Sequence, residues 1–204
     1  MTTFTRFSAQ IGDALGVSRQ EVNYVARRQS EAGLGARRPK GRKPAEIGGI
    51  DGARLLVAVM VTCIERPVAR ASSLVRDIVR LGRLHHGALL YFDPDFLLPD
   101  GFVEAVGEIL IGLGDPARRD RVQNWIGGIG IALGSGKMAA WIEVHSPLGD
   151  EDFDYAASPD DLVFLTDKAP MVRRVEVTMP ALSRIALLLT PSQAAPRRRK
   201  KAAA

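Results

Sequence analysis

Between Ser8 and Arg28 the chain reads SAQIGDALGVSRQEVNYVARR, and the punctuation in its middle leaves few ways to fold it. Ile11, Ala14 and Leu15 give the first half one apolar stripe at helical spacing. Gly16 closes that helix, because the left-handed conformation that ends a helix costs glycine little. Val17 turns inward. Ser18 suits the N-cap of a second helix, with Glu21 three places on to complete a capping box. Val22, Val25 and Ala26 give the second helix its inward face, which leaves Arg19, Gln20, Asn23, Tyr24 and Arg27 outward. Gly12 falls where two helices joined by so short a turn approach most closely. The spacing predicts helices over about 8–15 and 18–32, the second stopped by Gly33, with Phe4 and Phe7 anchoring the first from below.

A tight turn opened by glycine, small or apolar residues at the crossing and a polar outer face on the second helix are what a helix-turn-helix requires. The stretch resembles the helix-turn-helix of bacterial and phage DNA-binding proteins. That resemblance implies that Arg19, Gln20, Asn23, Tyr24 and Arg27 lie in the major groove. Gln20 and Asn23 carry the donor–acceptor pair that reads adenine, and Arg19 has the fork that reads guanine. Ser18, Arg28 and the basic residues that follow would hold phosphate, which sets register rather than sequence. An ordinary helical hairpin with a basic face fills the same positions and is the alternative reading.

The next stretch, GLGARRPKGRKP, carries Arg37, Arg38, Lys40, Arg42 and Lys43 among glycines and prolines. It has nothing apolar to bury and cannot continue a helix. It is similar to the wing of a winged helix, and also to an AT-hook, whose core lies in a narrow A·T minor groove. Lys40-Gly41-Arg42 stands for that core, but Lys43 intervenes before Pro44. A solvated linker is the third reading. Charge along the whole chain is segregated in the same sense. Up to Pro44 there are nine Lys or Arg against three acids, and from Asp93 to Lys168 fifteen acids against five bases. Arg197 to Lys201 are five consecutive bases, and the net charge is +5. Such a layout suits a basic end facing a polyanion and an acidic remainder turned away.

The lone cysteine, Cys63, cannot make an internal disulfide and reads as a small core residue in a reducing compartment. The first residues lack the apolar core of a secretory signal, and the longest apolar run, Leu55 to Ile64, is too short to span a bilayer. A cytoplasmic protein with no membrane partner is expected.

Beyond Pro44 the pattern is helical, then β. Asp51 to Ile64, DGARLLVAVMVTCI, is apolar nearly all round, with Asp51 as expected N-cap. Such a helix is the centre of a core or a self-association surface. Pro67 opens a helix over 68–81 with Ala71, Leu74, Val75, Ile78 and Leu81 inward and Arg70, Arg76, Arg80 and Arg83 outward. Gly87 to Phe96 is a strand or an apolar connector. Phe102, Val106, Ile109, Leu110 and Leu113 mark the next helix, and Asp115-Pro116 is expected to start another that runs to Ile126, with Trp125 in the core. From Met138 the period is two, with Ala140, Ile142 and Val144 on one side. An acidic loop is expected over 147–159, short strands over 162–165 and 172–179, and a last helix from Pro180 to Leu189. The tail beyond Pro191 is too polar and charged to fold.

No catalytic constellation emerges, and no enzyme activity is expected. GGIGIALGSGK has Ile131 where a phosphate loop needs glycine and Met138 where it needs Ser or Thr. A dinucleotide loop would need a strand before it and a helix after, the reverse of the predicted order. Adjacent His85 and His86 cannot share a helix face, and neither they nor His145 have partners at metal-ligand spacing. The acids Asp150, Glu151, Asp152 and Asp154 lack the glycine and closing glutamate of a calcium loop. No cofactor or metal is expected.

The sequence therefore predicts an α+β protein, mostly α. Residues 1–47 form a helix-turn-helix unit, winged-helix-like, with a basic extension. Residues 48–190 form a helical middle and a small antiparallel sheet with a C-terminal helix, serving assembly or an effector role, and 191–204 form a disordered basic tail. The expected partners are double-stranded DNA, further copies of the chain, and a protein bound by the acidic C-terminal part. The expected function is a transcription regulator. The alternative is a phage small terminase subunit, a family that couples an N-terminal helix-turn-helix to helical oligomerisation segments and a partner-binding end. The layout is similar to that family in order only. An RNA-binding or adaptor role is a weaker third.

Overall fold

The computed structural model describes residues 4–33, 47–65, 76–84, 98–134, 137–146, 149–158 and 172–189. It is an α+β fold in which the described helices gather on one face of an antiparallel sheet. Helices α1 (Phe4–Leu15) and α2 (Arg19–Glu31) lead into α3 (Gly49–Ile64). A helical turn over 76–78 precedes the two-residue strand β1 (Gly82–Arg83). Then come α4 (Phe102–Gly114), α5 (Arg119–Trp125), β2 (Ile126–Gly134), β3 (Lys137–Ser146), β4 (Gly149–Ala156), β5 (Val172–Thr178) and α6 (Met179–Ala186).

Helix α3 is the axis of the core. Residues 55–61 are buried without a break, as an all-round apolar helix demands. The cover comes from this chain itself: α4 packs along α3, and α1, α2, β2 and β5 also reach it. The self-association alternative is thus not needed to bury α3. It begins at Gly49 with Gly48 as N-cap, three residues earlier than the expected cap, so Asp51 sits in the first turn instead of capping it. There its carboxylate still meets the helix dipole favourably, and it pairs with Arg54 at 3.7 Å.

The sheet has the order β1-β4-β3-β2-β5 with every pair antiparallel. Register sets Ile129 beside Ile142 and Val177, and Ile131 beside Ala140 and Val175. On β4, Phe153 faces Ile142 and Tyr155 faces Ala140. This face meets the helices. Tyr155 is fully buried, its ring 5.3 Å from that of Phe102 and its hydroxyl donating to Pro99 O at 3.4 Å. The other face carries Ala132, Ala139 and Ala156 under Trp141, Leu84 and Val172. Beside them stand Glu143, Asp152, Asp154 and Glu176.

Three of these strands were not expected, and the first is β1, where Arg83 pairs with Tyr155 instead of continuing the outward face of a helix. The glycine-rich stretch after Trp125 is β2, the strand that joins β3 to β5. Its glycines are filled from outside: Trp141 lies over Gly130, where any Cβ would collide with the indole. The acidic stretch is β4, with Phe153 and Tyr155 alternating inward between Asp152 and Asp154. Asp115 also differs from expectation. Its Oδ1 accepts from Ala117 N at 3.0 Å, so it shapes a turn, and α5 starts only at Arg119. The readings over 66–75, 87–96 and 162–165, at His85 and His86, and in the tail lie outside the described residues.

α6 begins with Pro180 in its first turn and buries Leu182, Ile185 and Ala186 against α4, β2 and β5. Just past its end, Leu189 packs at Gly52 of α3 beside Phe7 of α1. Any side chain at Gly52 would meet both, with a Cβ 2.8 Å from Leu189 and 3.0 Å from Phe7.

Candidate nucleic-acid interface

The α1–α2 pair forms as its local residues dictate, except that α1 begins at Phe4, about four residues before expected, so Phe7 packs into the core from within the helix. Gly16 has φ 65°, the left-handed value that only glycine adopts at little cost. Gly12 is pressed against the turn: a Cβ there would lie 2.6 Å from Val17 O, so the helices could not close on any other residue. Ser18 Oγ accepts from Glu21 N at 3.2 Å, and Ser18 N donates to Glu21 Oε2 at 3.0 Å. Ser18 Oγ also donates to the same carboxylate at 3.1 Å. The hydroxyl is therefore engaged in the cap, and its contribution is to fix the first turn of α2.

Val22 and Val25 seat α2 on the core, each worth about 1.5–3 kcal/mol of burial. Gln29, 7% exposed, adds a polar tie by donating from Nε2 to Arg54 O of α3 at 3.4 Å. The sequence reading missed it, although position 29 continues the 22–25 face by four residues.

The opposite side of α2 is an open polar stripe. Arg19, Gln20, Tyr24, Arg27 and Arg28 are exposed together over three turns. Asn23 is only half-exposed. Its Oδ1 is buried and accepts no hydrogen bond among the described residues. A bidentate contact to adenine uses both amide atoms, so Asn23 must change rotamer to make one, whereas Gln20 need not. Tyr24 is 49% exposed, and the Arg28 guanidinium lies 5.8 Å from its ring centroid.

The C-terminal end of the stripe carries an arrangement not foreseen from sequence. Arg27 Nε donates to Glu31 Oε1 at 2.9 Å and Arg28 Nη1 donates to Glu31 Oε2 at 3.1 Å. These two hydrogen bonds hold the Glu31 carboxyl below its ordinary range. The Glu31 hydrogen bond, then Tyr24, raise Arg28 above its own. The i,i+3 and i,i+4 spacings were the available signal. Arg37, Arg38, Lys40, Arg42 and Lys43, the basic extension, lie outside the described residues, which resume at Ile47.

Elsewhere the described residues bring no group of three or more His, Cys, Asp or Glu together in a metal-binding arrangement. None of their helices is long and apolar enough to cross a membrane. Comparison with family models, with curated proteins and with solved structures finds no match to this chain.

Proposed function

We propose that this protein binds double-stranded DNA through α2 and acts as a sequence-specific transcription regulator. The observation that carries the reading is the stripe on α2: a helix started by a complete capping box, seated by Val22, Val25 and Gln29, with Arg19, Gln20, Tyr24, Arg27 and Arg28 exposed on its far side. A helix presented this way fits the major groove with its N-terminal residues at the base edges. Arg19 and Gln20 would read bases; Arg27, expected in the groove from sequence, shares the Glu31 carboxylate with Arg28 at the far end of the helix and would meet phosphate with it. The acidic outer side of the sheet, with Glu143, Asp152, Asp154 and Glu176, would stay away from the duplex.

The test is selection of bound sequences from a random duplex pool, followed by titration of a selected and a scrambled duplex. Arg19→Ala should lose about 1–3 kcal/mol of discrimination at one base while keeping most of the non-specific affinity. Equal loss on both duplexes would remove Arg19 from base reading, and no binding at low salt would end the DNA proposal. A dimer with a palindromic selected site supports the regulator; a ring-sized mass would point instead to a terminase-type recognition subunit.

A further inference from the structure

The end of the α2 stripe holds two arginines on one carboxylate. Each Glu31 oxygen takes one guanidinium, Arg27 at 2.9 Å and Arg28 at 3.1 Å. All three side chains are open to solvent, with 77%, 46% and 44% of their surfaces exposed for Arg27, Arg28 and Glu31. A DNA phosphodiester presents the same chemistry as that carboxylate: one negative charge shared by two oxygens, each able to accept from a guanidinium. Resting on the DNA reading above, we propose that Glu31 is a built-in competitor for the DNA backbone, clasping Arg27 and Arg28 in the free protein and giving them up to a phosphate on binding.

Two physical points favour the exchange and a third sets what it costs. Exposed ion pairs contribute little to stability, so opening this one is cheap. Tyr24 beneath Arg28 keeps that guanidinium beside the helix when the carboxylate lets go. The displaced carboxylate stays on the same helical stripe, where its charge opposes the arriving phosphate. Non-specific binding depends almost wholly on phosphate contacts. Glu31 therefore lowers affinity for any duplex, whereas base reading by Arg19 and Gln20, at the other end of α2, is left untouched.

The experiment compares the full chain with Glu31→Gln by fluorescence anisotropy on a selected and a scrambled duplex across a salt series, at matched helix content by circular dichroism. Glu31→Gln should bind both duplexes about three- to tenfold tighter at low salt, with a slope of log K against log[salt] steeper by about one. The same substitution in an Arg27→Ala/Arg28→Ala background should gain less than about twofold, because the clasped cations are gone. Unchanged or weaker binding by Glu31→Gln overturns the proposal, as does an undiminished gain in the doubly substituted background. If the parent binds duplex DNA but the variant gains nothing, only the competitor role fails. If neither binds, the DNA reading fails and takes this inference with it.

Discussion

In the α1–α2 pair, each structural decision is made within a few residues of where it is felt. Gly16 ends a helix, Ser18 and Glu21 start the next two places on, and Gly12 admits the turn that follows it. In β2 and β4 the residue that justifies a position sits on another strand. Gly130 is a poor strand residue until Trp141 lies across it, and β4 gains its inward face only when Ile142 and Ala140 stand opposite Phe153 and Tyr155. One region is written in local grammar, the other in pairing. Yet both drain into one hydrophobic cluster that runs from Phe7 to Leu189. Their stabilities should therefore be coupled although their codes differ.

The largest effect on this coupling is expected from Tyr155→Ala. Removing a fully buried aromatic should cost about 3–5 kcal/mol. The loss should appear equally in tryptophan fluorescence, which reports Trp125 and Trp141, and in the far-ultraviolet signal of the helices. Two separate transitions would mean that the α1–α2 pair stands alone. Next is Gly12→Val, which drives carbon into the Val17 carbonyl and should cost about 1–3 kcal/mol by denaturant titration. An unshifted midpoint would show that the turn can reopen freely. Ser18→Ala removes the capping box and should cost about 1 kcal/mol. Ser18→Asn should recover most of it, since asparagine also caps.

The smallest effect is electrostatic and belongs to the sheet. Burial first, then Glu143 and Glu176, push the Asp152 carboxyl above its ordinary value. A folded-state pKa above the unfolded one means that the fold takes up the proton more readily. The penalty is thus fully present above the raised value and is relieved as pH falls through it towards 3.8. Asp152→Asn should raise the melting temperature by about a degree at neutral pH and by nothing below pH 3.8. A gain that persists in acid would show that charge is not the cause.

The same contrast explains what could be read from the sequence. The cap at Ser18, the left-handed Gly16, the inward residues of α4 and α6 and the alternation of β3 all follow from spacing alone. Strand β2 was obscured because four of its nine residues are glycine, which weakens a strand unless a neighbour fills the gap. Strand β4 was obscured because its acids suggested a solvated loop, although Phe153 and Tyr155 already kept period two. On α2, exposure of Arg19, Gln20 and Tyr24 was legible from the helical wheel. The shielding of Asn23 Oδ1 and the burial of Gln29 were not, since each depends on what the rest of the chain packs beside the helix.

The meeting of Leu189 with Phe7 at Gly52 has a consequence for the order of events in a cell. A ribosome delivers α1 and α2 well before α6. Until that last piece emerges, the underside of α1 lacks its neighbour, and the polar helix beside it rests on an unfinished seat. Premature termination anywhere before α6 therefore strips a packing neighbour from α1.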